Sequence, residues 1–365
     1  MQVEARILVT VGTKAQFIKM APVLKAFDQA GVVYDLVYTG QHSETFSLLE
    51  RTFGVRTPDQ VLVPNIEVTT KQGMLSWSIK FWRAVWSSIS AGLWRKYQYG
   101  LVHGDTISAI YCAIAMRLSG MSVVHIEAGL RSKSLFDPFP EEIIRRLISK
   151  IASVHFAPDN LSVANMKNAR GDVIHTHGNT MRDALRMALG EKADGDIECG
   201  QGKYALVSMH RNENLSNAKA FDSLMKMVIE TAQTSQVKFV LHPATRSRLE
   251  KSKWLPLLKK NLNIELLQRM DYPDFVELIM GCSFLMTDGG SNQEEAAMLG
   301  VPTIILRKNT ERMDGIGDNV VLSDLSSEAV GEFVQKHCGK KWTIRAIEKS
   351  SPSIVISQWL AKRVN

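Results

Sequence analysis

The sequence has few cysteines, and their spacing excludes common small metal-binding motifs. The 365 residues include four cysteines, and no two of them form a Cys-x-x-Cys pair. This pattern argues against a disulfide framework and against structural zinc. It predicts a protein of a reducing compartment, which we take to be the cytoplasm.

Long apolar runs and tracts of one charge sign are also missing. No apolar run approaches the ~20 residues of a membrane helix. The first residues include Glu4 and Arg6 and lead directly into a strand-like run, which is not the pattern of a signal peptide. The net charge of +7 is spread along the chain. Such an excess suits a phosphate-bearing ligand and argues against nucleic acid as the main partner.

Three nucleotide or metal motifs are absent: Gly-x-x-x-x-Gly-Lys-[Ser/Thr], Gly-x-Gly-x-x-Gly and His-Glu-x-x-His. Their absence argues against an ordinary nucleotide triphosphatase, a nicotinamide dehydrogenase and a zinc protease of that type. The composition that remains, with 45% hydrophobic and 22% charged residues, is that of a globular protein. A chain of this length favours two domains over one.

Short apolar runs alternate with longer helical stretches from end to end, which predicts an α/β fold with doubly wound parallel sheets. The alternation breaks in the polar, glycine-containing stretch Asn179–Gln201, near which we place a domain boundary. The predicted strands are Ile7–Val11, Val32–Tyr38, Gly100–Val102, Ser122–Ile126, Tyr204–Met209, Val237–Leu241, Ser283–Met286 and Thr303–Leu306.

The segment Leu75–Tyr97 is unusually rich in tryptophan. Its aromatic and aliphatic residues recur at a largely helical spacing and give a wide apolar face. A helix facing the core is one interpretation. A subunit interface, or contact with a membrane surface through the region from Trp77 to Trp94, is the other.

Polar residues follow several strands of the first half, where open parallel sheets bind ligands. Lys14 follows a glycine after the first strand, where a helix N-terminus could receive an anion. Asp105 and Glu127 follow the next two central strands, and Glu141 precedes a probable helix. Asp105 and Glu141 also suit helix starts, whereas a carboxylate ending a buried strand is costly without a partner. The three could converge on one cleft and supply acids and bases.

The second half contains the strongest single segment, Thr287–Ala296. Its two glycines and a serine open a helix after a buried strand and predict an anion cradle. Glu295 lies one turn further, where it could accept hydrogen bonds from ribose hydroxyls, and Arg312 could balance phosphate charge. His210 and His242 end two other strands, where a histidine is as often structural as functional.

Together these segments resemble the bacterial UDP-N-acetylglucosamine 2-epimerase family of the non-hydrolysing type. The resemblance runs over nearly the whole chain, and the order of the motifs is more specific than any one of them. The motifs are Gly12-Thr13-Lys14, Lys19-Met20-Ala21-Pro22, Gln41-His42, His103-Gly104-Asp105-Thr106, His125-Ile126-Glu127-Ala128-Gly129-Leu130-Arg131, Pro140-Glu141-Glu142, His210-Arg211, Asp288-Gly289-Gly290, Gln293-Glu294-Glu295-Ala296 and Thr310-Glu311-Arg312.

The resemblance implies two facing Rossmann-like domains of the GT-B type with an interdomain cleft, and a homodimer. It implies a first domain of residues 1–178 with 353–365, reached by a returning C-terminal helix, and a UDP-binding domain of residues 179–352. It implies catalytic roles for Asp105, Glu127, Glu141 and His210. It implies substrate binding by Lys14, Lys19, Arg145, Gly289, Gly290, Ser291, Glu295 and Arg312. A second, regulatory UDP-sugar site is implied at Gln41, His42, Lys71, Gln72 and His242.

The implied reaction is epimerisation at C2 of UDP-N-acetylglucosamine to the N-acetylmannosamine epimer, for surface polysaccharide synthesis. UDP is eliminated to leave a 2-acetamidoglucal and then re-adds, with no metal or redox cofactor. The sequence departs from the family pattern at Lys14, where many members have Arg, at Ala15-Gln16, where Pro-Glu is common, and at Gly289-Gly290-Ser291 in place of Ser-Gly-Gly. These departures leave open a related substrate such as a UDP-diacetamido-uronic acid, and those at Lys14 and Ser291 leave open a UDP-sugar sensor without turnover. The alternative enzymes are a hydrolysing epimerase and a GT-B glycosyltransferase.

Overall fold

The computed structural model describes residues 6–41, 46–64, 71–132, 135, 139–310 and 312–364. The chain divides into two compact units. The first unit comprises Met1–Met187 with Lys349–Asn365, and the second comprises Ala188–Glu348. Residues 179–187, which the sequence assigned to the second domain, therefore belong to the first unit, where the Asp183 carboxylate accepts a hydrogen bond from the backbone N–H of Ser353 at 2.8 Å.

The first unit alternates strands and helices along the chain. Its elements are β1 (Ile7–Val11), α1 (Lys14–Gln29), β2 (Tyr34–Tyr38), α2 (Phe46–Phe53), β3 (Gln60–Val61), α3 (Lys71–Ser90), β4 (Tyr99–His103), α4 (Ile107–Leu118), β5 (Ser122–Ile126), α5 (Glu141–Ile151), β6 (Val154–Ala157), α6 (Asn160–Asn165), β7 (Asp172–His175), α7 (Met181–Leu189) and, at the C-terminus, α15 (Pro352–Val364).

In the described part of this unit the strands form one parallel sheet of seven, in the order β3-β2-β1-β4-β5-β6-β7. The chain reverses its direction across the sheet between β1 and β4. Ligands of open parallel sheets bind beyond the carboxyl ends of the strands at such a reversal. Helix α15 returns to this unit, where the Ser357 hydroxyl donates to the carbonyl oxygen of Ala26 in α1 at 3.0 Å.

Helix α3 presents two different faces. Trp77, Phe81 and Val85 are fully buried and form part of a hydrophobic core under the sheet. The ring of Trp77 stacks on that of Tyr111 in α4 at 5.8 Å. On the opposite face, Trp86 keeps 64% of its surface exposed. The prediction of a core-facing helix therefore holds for one face, while the other remains an exposed apolar surface.

The second unit begins with a 3₁₀ helix at Gly190–Asp194 and has its own sheet. Its further elements are β8 (Glu198–Cys199), β9 (Tyr204–Met209), α8 (Asn212–Ser216), α9 (Ala218–Thr231), β10 (Gln236–Leu241), α10 (Pro243–Glu250), α11 (Trp254–Lys260), β11 (Ile264–Gln268), α12 (Tyr272–Gly281), β12 (Phe284–Thr287), α13 (Gly290–Leu299), β13 (Thr303–Ile305), β14 (Val320–Leu322), α14 (Ser327–His337) and β15 (Trp342–Thr343).

Six parallel strands of the second unit, counted over the described residues, follow the order β11-β10-β9-β12-β13-β14. The short strands β8 and β15 pair antiparallel apart from this sheet. A hydrophobic core containing Phe221, Phe239 and Phe284 packs against it. The direction reverses between β9 and β12, so this unit repeats the Rossmann-like arrangement of the first. The predicted fold class, α/β with two parallel Rossmann-like domains, is confirmed.

No helix among the described residues combines the length and the apolar character that crossing a bilayer requires.

Candidate active site

The first candidate site lies at the carboxyl ends of β4 and β5. These strands are paired, with His103 opposite Ile126, so Asp105 and Glu127 follow neighbouring strands at one edge of the sheet. Glu127 has a φ of 64°, a left-handed conformation that disfavours side chains other than glycine. Such a conformation costs on the order of 1–2 kcal/mol and persists only where the surroundings impose it.

The Glu127 carboxylate is held by two side-chain donors. The Lys19 ammonium lies 2.7 Å from Oε1, with side-chain exposures of only 4% and 8% for the pair. The side-chain amide of Asn179 donates to the same oxygen at 2.6 Å. Oε2 faces Nε2 of His103 at 3.6 Å. Because a buried carboxylate is costly without charge compensation, Lys19 is the cation that compensates the charge of Glu127 here.

Asp105 has a cationic partner of its own. A guanidinium nitrogen of Arg145 lies 2.6 Å from its Oδ2. Arg145 is buried in α5 beside Glu142, whose carboxylate is fully buried and binds Arg146 at 2.7 Å. Glu141 is the first residue of α5, so it begins the helix that carries Arg145. Of the two adjacent acids, Glu142 is therefore the structural one, and Glu141 stays a prediction as an acid or base.

Gln16 links the loops that follow β1 and β4. Its side-chain oxygen accepts from the backbone N–H groups of Gly12 and Thr13, at 2.9 and 3.1 Å. Its amide nitrogen donates to the carbonyl oxygen of His103 at 2.7 Å and to the Thr106 hydroxyl at 2.9 Å. Acceptance and donation by one side chain require an amide, because an ionised carboxylate only accepts. Lys14 lies beside this network as the first residue of α1.

A buried histidine supports the same edge of the sheet. His125 in β5 has no exposed surface, and its Nε2 donates to the carbonyl oxygen of Gly104 at 2.9 Å. Burial first, and then the nearby His155, His103 and Arg131, lower the pKa of His125 to about 3, against the opposing effect of the hydrogen bond to Gly104. His125 is therefore neutral near pH 7, and its role is to hold the loop that leads to Asp105.

The second candidate site is organised by Asp288, which directly follows β12 and is buried. Its carboxylate accepts from the backbone N–H groups of His210 and Arg211, at 2.8 and 3.0 Å, and from the side chain of Asn214 at 3.0 Å. One buried acid thus fixes the loop after β9. Because all three donors are neutral, the carboxylate leaves negative charge at the site that favours cations nearby.

The N-terminus of α13 begins beside this loop, with Gly289 as its N-cap. A methyl group on Gly289 would lie 2.8 Å from Cε1 of His210, so only glycine allows the imidazole to approach this closely. A methyl group on Gly290 would lie 3.2 Å from Nε of Arg312 and 3.3 Å from a terminal nitrogen of Arg211. Two guanidinium groups therefore converge on a helix N-terminus whose N–H groups already favour anions. Ser291 follows in the first turn of the helix.

Side chains inside α13 hold the surrounding groups in place. Glu294 is buried and lies 3.0 Å from Nη1 of Arg312. Gln293 donates to the carbonyl oxygens of Arg312 and Asp314, both at 3.1 Å. Glu295 is buried and hydrogen-bonds to Tyr272; burial first, and then that carboxylate, raise the pKa of the tyrosine.

His210 lies at the mouth of the second site. Its side chain is 39% exposed, its Nδ1 is 3.8 Å from the Asp288 carboxylate, and its ring stacks on His242 at 4.4 Å. Partial desolvation of the imidazole lowers the pKa of His210, together with Arg211 and Arg269, against the opposing effect of Asp288. A mostly neutral imidazole near pH 7 can donate a hydrogen bond to a phosphate oxygen without requiring a counter-ion.

The residues predicted for a regulatory site are placed in different parts of the chain. Gln41 is buried in the first unit and Gln72 is exposed on α3. His242 belongs to the second unit, where it stacks on His210. His42 lies outside the described residues, and Lys71 begins α3 with a side chain that is not described. The regulatory role stays a prediction.

Sequence reasoning missed two residues that the structure places at these sites. Gln16 was noted only as a departure from Pro-Glu, although its position after a Gly-Thr strand end suggests a capping side chain. Asn179 was treated as the start of an interdomain stretch, although an asparagine before a helix is a common N-terminal signal. Over the described residues, no group of three or more His, Cys, Asp or Glu side chains is arranged to hold a metal ion.

Two parallel Rossmann-like sheets, each with its functional side chains at the carboxyl ends of the strands, place the chain in the class of GT-B type α/β enzymes. The UDP-N-acetylglucosamine 2-epimerase family profile matches residues 25–353. The chain therefore belongs to that family, whose members are isomerases.

Individual relatives agree with this assignment. A UDP-N-acetylglucosamine 2-epimerase from Campylobacter jejuni is 30% identical over 339 residues, which are 87% of this chain and 85% of the relative. Among solved structures, the Methanocaldococcus jannaschii enzyme in complex with UDP-GlcNAc and UDP is 25% identical, with a TM-score of 0.82 over 98% of this chain and 99% of that one. The Neisseria meningitidis enzyme bound to UDP-GlcNAc is 27% identical, with a TM-score of 0.80 over 98% and 100%.

Proposed function

We propose that this protein is a non-hydrolysing UDP-N-acetylglucosamine 2-epimerase that interconverts UDP-N-acetylglucosamine and UDP-N-acetylmannosamine. The proposal is supported by the family membership and by relatives whose solved structures contain UDP-GlcNAc. The observation that carries it is the pair of carboxylates at the ends of β4 and β5, each with a cation within 2.7 Å. Such a pair suits proton transfer at a sugar carbon.

The proposed reaction begins with loss of the C2 proton. Glu127 or Asp105 takes this proton while the bond between C1 and the bridging oxygen breaks, which gives a 2-acetamidoglucal and UDP. The proton then returns to the opposite face of C2, and UDP re-adds at C1. Two faces require more than one acid or base, which is the role we propose for Asp105, Glu127 and Glu141. The paired cations Lys19 and Arg145 keep their partners oriented between the two half-reactions.

UDP departure needs support for the charge that develops on the diphosphate. We propose that the N-terminus of α13, with Arg312, receives this charge, and that His210 donates to the leaving phosphate. Gly289 and Gly290 let the phosphate oxygens approach the backbone, and Ser291 adds a hydroxyl donor. Glu295 is proposed to accept from the ribose, as the resemblance implies, and Lys14 to assist with the phosphates.

The experiment that tests the proposal is proton NMR of UDP-N-acetylglucosamine incubated with the protein in deuterium oxide. We expect the UDP-N-acetylmannosamine epimer to appear with deuterium at C2, while free UDP stays at trace level. Stoichiometric UDP and free N-acetylmannosamine would instead show the hydrolysing reaction. An unchanged C2 signal with this nucleotide sugar would contradict the proposal. The same assay with other UDP-sugars would then establish whether a related sugar is the substrate.

A further inference from the structure

The loop between β7 and α7 carries a side chain that neither the sequence nor the family assignment gave a role. In this loop, the Thr176 hydroxyl donates to the carbonyl oxygen of Ala157 at 3.0 Å and is 2.8 Å from that of Gly178. His177 and Gly178 both have positive φ, at 57° and 149°. The loop therefore has a fixed, irregular course that delivers Asn179 to the end of β5.

The two ends of the Asn179 side chain have different partners. Its Oδ1 accepts from the backbone N–H of Met181 at 3.2 Å, which satisfies one of the free N–H groups at the start of α7. Its Nδ2 donates to Oε1 of Glu127 at 2.6 Å. Because an N–H must meet an acceptor and a carboxylate must meet a donor, these two contacts assign the orientation of the amide.

The start of helix α7 is anchored by hydrogen bonds, which fix the backbone position from which Asn179 reaches Glu127. Arg182 donates to the carbonyl oxygen of His177 and to the hydroxyl of Ser350, both at 2.8 Å. The buried carboxylate of Asp183 accepts from the N–H of Ser353 at 2.8 Å. Burial raises the pKa of Asp183, against the hydrogen bonds that hold it. The start of α7 is therefore tied to the first turn of α15 and to the residues just before it.

Asn179 and Lys19 both act on one oxygen of Glu127. Oε1 receives the amide at 2.6 Å and the ammonium at 2.7 Å, which leaves Oε2 on the side of His103 and Gly104. A methyl group on Gly104 would lie 3.5 Å from Oε2, so this glycine lies directly beside that oxygen. Asn179 and Glu127 also line the same pocket, together with Gly178 and Thr180.

We propose that Asn179 is a positioning residue for the epimerisation: it holds Oε1 of Glu127, so that Oε2 is the oxygen that exchanges a proton with C2 of the sugar. This inference rests on the proposed function. Lys19 supplies the compensating charge, and the neutral amide supplies direction, because its plane fixes the rotation of the carboxylate. The left-handed backbone of Glu127 aims the side chain, and Asn179 selects the oxygen that faces substrate.

The substitution Asn179→Asp separates positioning from support of the fold. Aspartate keeps Oδ1 as the acceptor for Met181, so the start of α7 is preserved. It replaces the donor to Glu127 with an oxygen and places two carboxylates in contact, which raises the pH at which the pair loses its last proton. We expect the acid limb of kcat/KM to move to higher pH by at least about one unit. At pH 7 we expect kcat to fall about 10- to 100-fold, with KM within about twofold of wild type.

Asn263→Ala is the matched control, because its side-chain amide also makes a short hydrogen bond, at 2.8 Å to the carbonyl oxygen of Ala232, but in the second unit. We expect wild-type kcat and an unmoved pH profile for it. Circular dichroism verifies folding of both variants.

If Asn179→Asp does not fold, Asn179→Ser replaces it. Its hydroxyl can still cap α7 but is too short to hold Glu127, so kcat should fall at least about tenfold at unchanged KM.

A folded Asn179→Asp or Asn179→Ser variant with wild-type kcat and pH profile would overturn the positioning role and leave the proposed function intact. A rise in KM at unchanged kcat would also overturn it, because that result would assign Asn179 to substrate binding. Absence of C2 exchange in the wild-type protein would remove the proposed function, and this inference with it.

Discussion

The two candidate sites place their charges in opposite ways. In the first unit, Glu127 and Asp105 are already paired with cations within 2.7 Å. In the second unit, the acids Asp288 and Glu294 are buried, whereas His210 is partly exposed beside a helix N-terminus on which the guanidinium groups of Arg312 and Arg211 converge. The first arrangement suits proton transfer by oriented carboxylates, and the second suits reception of an anion.

This difference shows how one α/β framework supports two different arrangements of charge. Both sites lie at the carboxyl ends of parallel strands, where a sheet brings sequence-distant side chains together. A left-handed residue after β5 aims a carboxylate inward at Lys19, whereas the buried Asp288 after β12 holds backbone N–H groups and leaves the surface cationic. The position of the acid, aimed at a cation or hidden under the loop, therefore separates the two sites.

The largest expected effect comes from removing Glu127, the proposed proton acceptor. Glu127→Gln keeps the size of the side chain but removes its charge and basicity. We expect C2 deuterium exchange to fall by about 10³-fold, within the range of general acid–base catalysis, while affinity for UDP is unchanged. Glu50→Gln is the control, because Glu50 also binds a buried hydroxyl, that of Tyr38, at 2.9 Å. Wild-type exchange by Glu127→Gln would remove the assignment of proton transfer to the first unit.

The opposite variant tests the second unit. Arg312→Lys keeps one positive charge near Glu294 but loses the planar guanidinium that lies against Gly290. We expect the UDP dissociation constant from calorimetry to rise about tenfold, equal to the loss of about 1.4 kcal/mol, with exchange at saturating substrate falling by no more than that factor. Arg345→Lys, at the exposed pair with Asp318, is the matched control. Tight UDP binding by Arg312→Lys together with loss of exchange would reverse the proposed division of roles.

An effect on stability rather than on the reaction is expected from the link between the loops after β1 and β4. Gln16→Glu replaces the donor to the His103 carbonyl oxygen with an acceptor. We expect unfolding free energy at pH 7 to fall by about 1–3 kcal/mol. Burial beside a carbonyl raises the folded-state pKa of the new carboxyl, so the penalty should shrink as pH falls and the group takes up its proton. Urea denaturation at pH 7 and pH 4.5 measures this, and equal losses at both values would show that Gln16 does not act as a donor.

The last prediction concerns how the stability of the protein changes with pH through His125. Its folded-state pKa of about 3 lies below its unfolded value of 6.5, so the neutral form stabilises the fold above pH 6.5 and this contribution is lost as pH falls toward 3. We expect His125→Gln, which can still donate to Gly104, to lose less stability on acidification than wild type. The difference should approach about 1.4 kcal/mol for each pH unit between 6 and 4. Parallel curves for the two proteins would contradict the burial of a neutral histidine.

Much of the fold could be predicted from the sequence, and the residues show why. Strands β1, β5 and β9 match their predicted bounds, because each is a buried apolar run with clear polar or glycine limits. Strands β6, β7, β11 and β14 were missed, because they are short or carry residues such as His155, Asp172 and Glu265. Edge strands lack the continuous apolar pattern, since only part of their surface is buried.

The site was less predictable than the fold. Asp105 and Glu127 follow from the rule that ligands bind at strand ends, but their cations lie on α5 and α1. Lys19 lies 108 positions from Glu127 along the chain, and Asn179 lies 52 positions from it. Asn179 bonds Glu127 only because β5, β6 and β7 are neighbours in the sheet. Its contact depends on tertiary placement, which a pattern of residue types does not encode.

The division of roles between the two units is tested most directly by hydrogen–deuterium exchange of backbone amides, read by mass spectrometry. The account predicts that UDP alone protects residues 287–293 and 210–214, around the N-terminus of α13. It predicts that UDP-N-acetylglucosamine adds protection at residues 125–130 and 176–181, where Glu127 and Asn179 meet. Protection by UDP confined to residues 103–127, with none at the start of α13, would contradict the account.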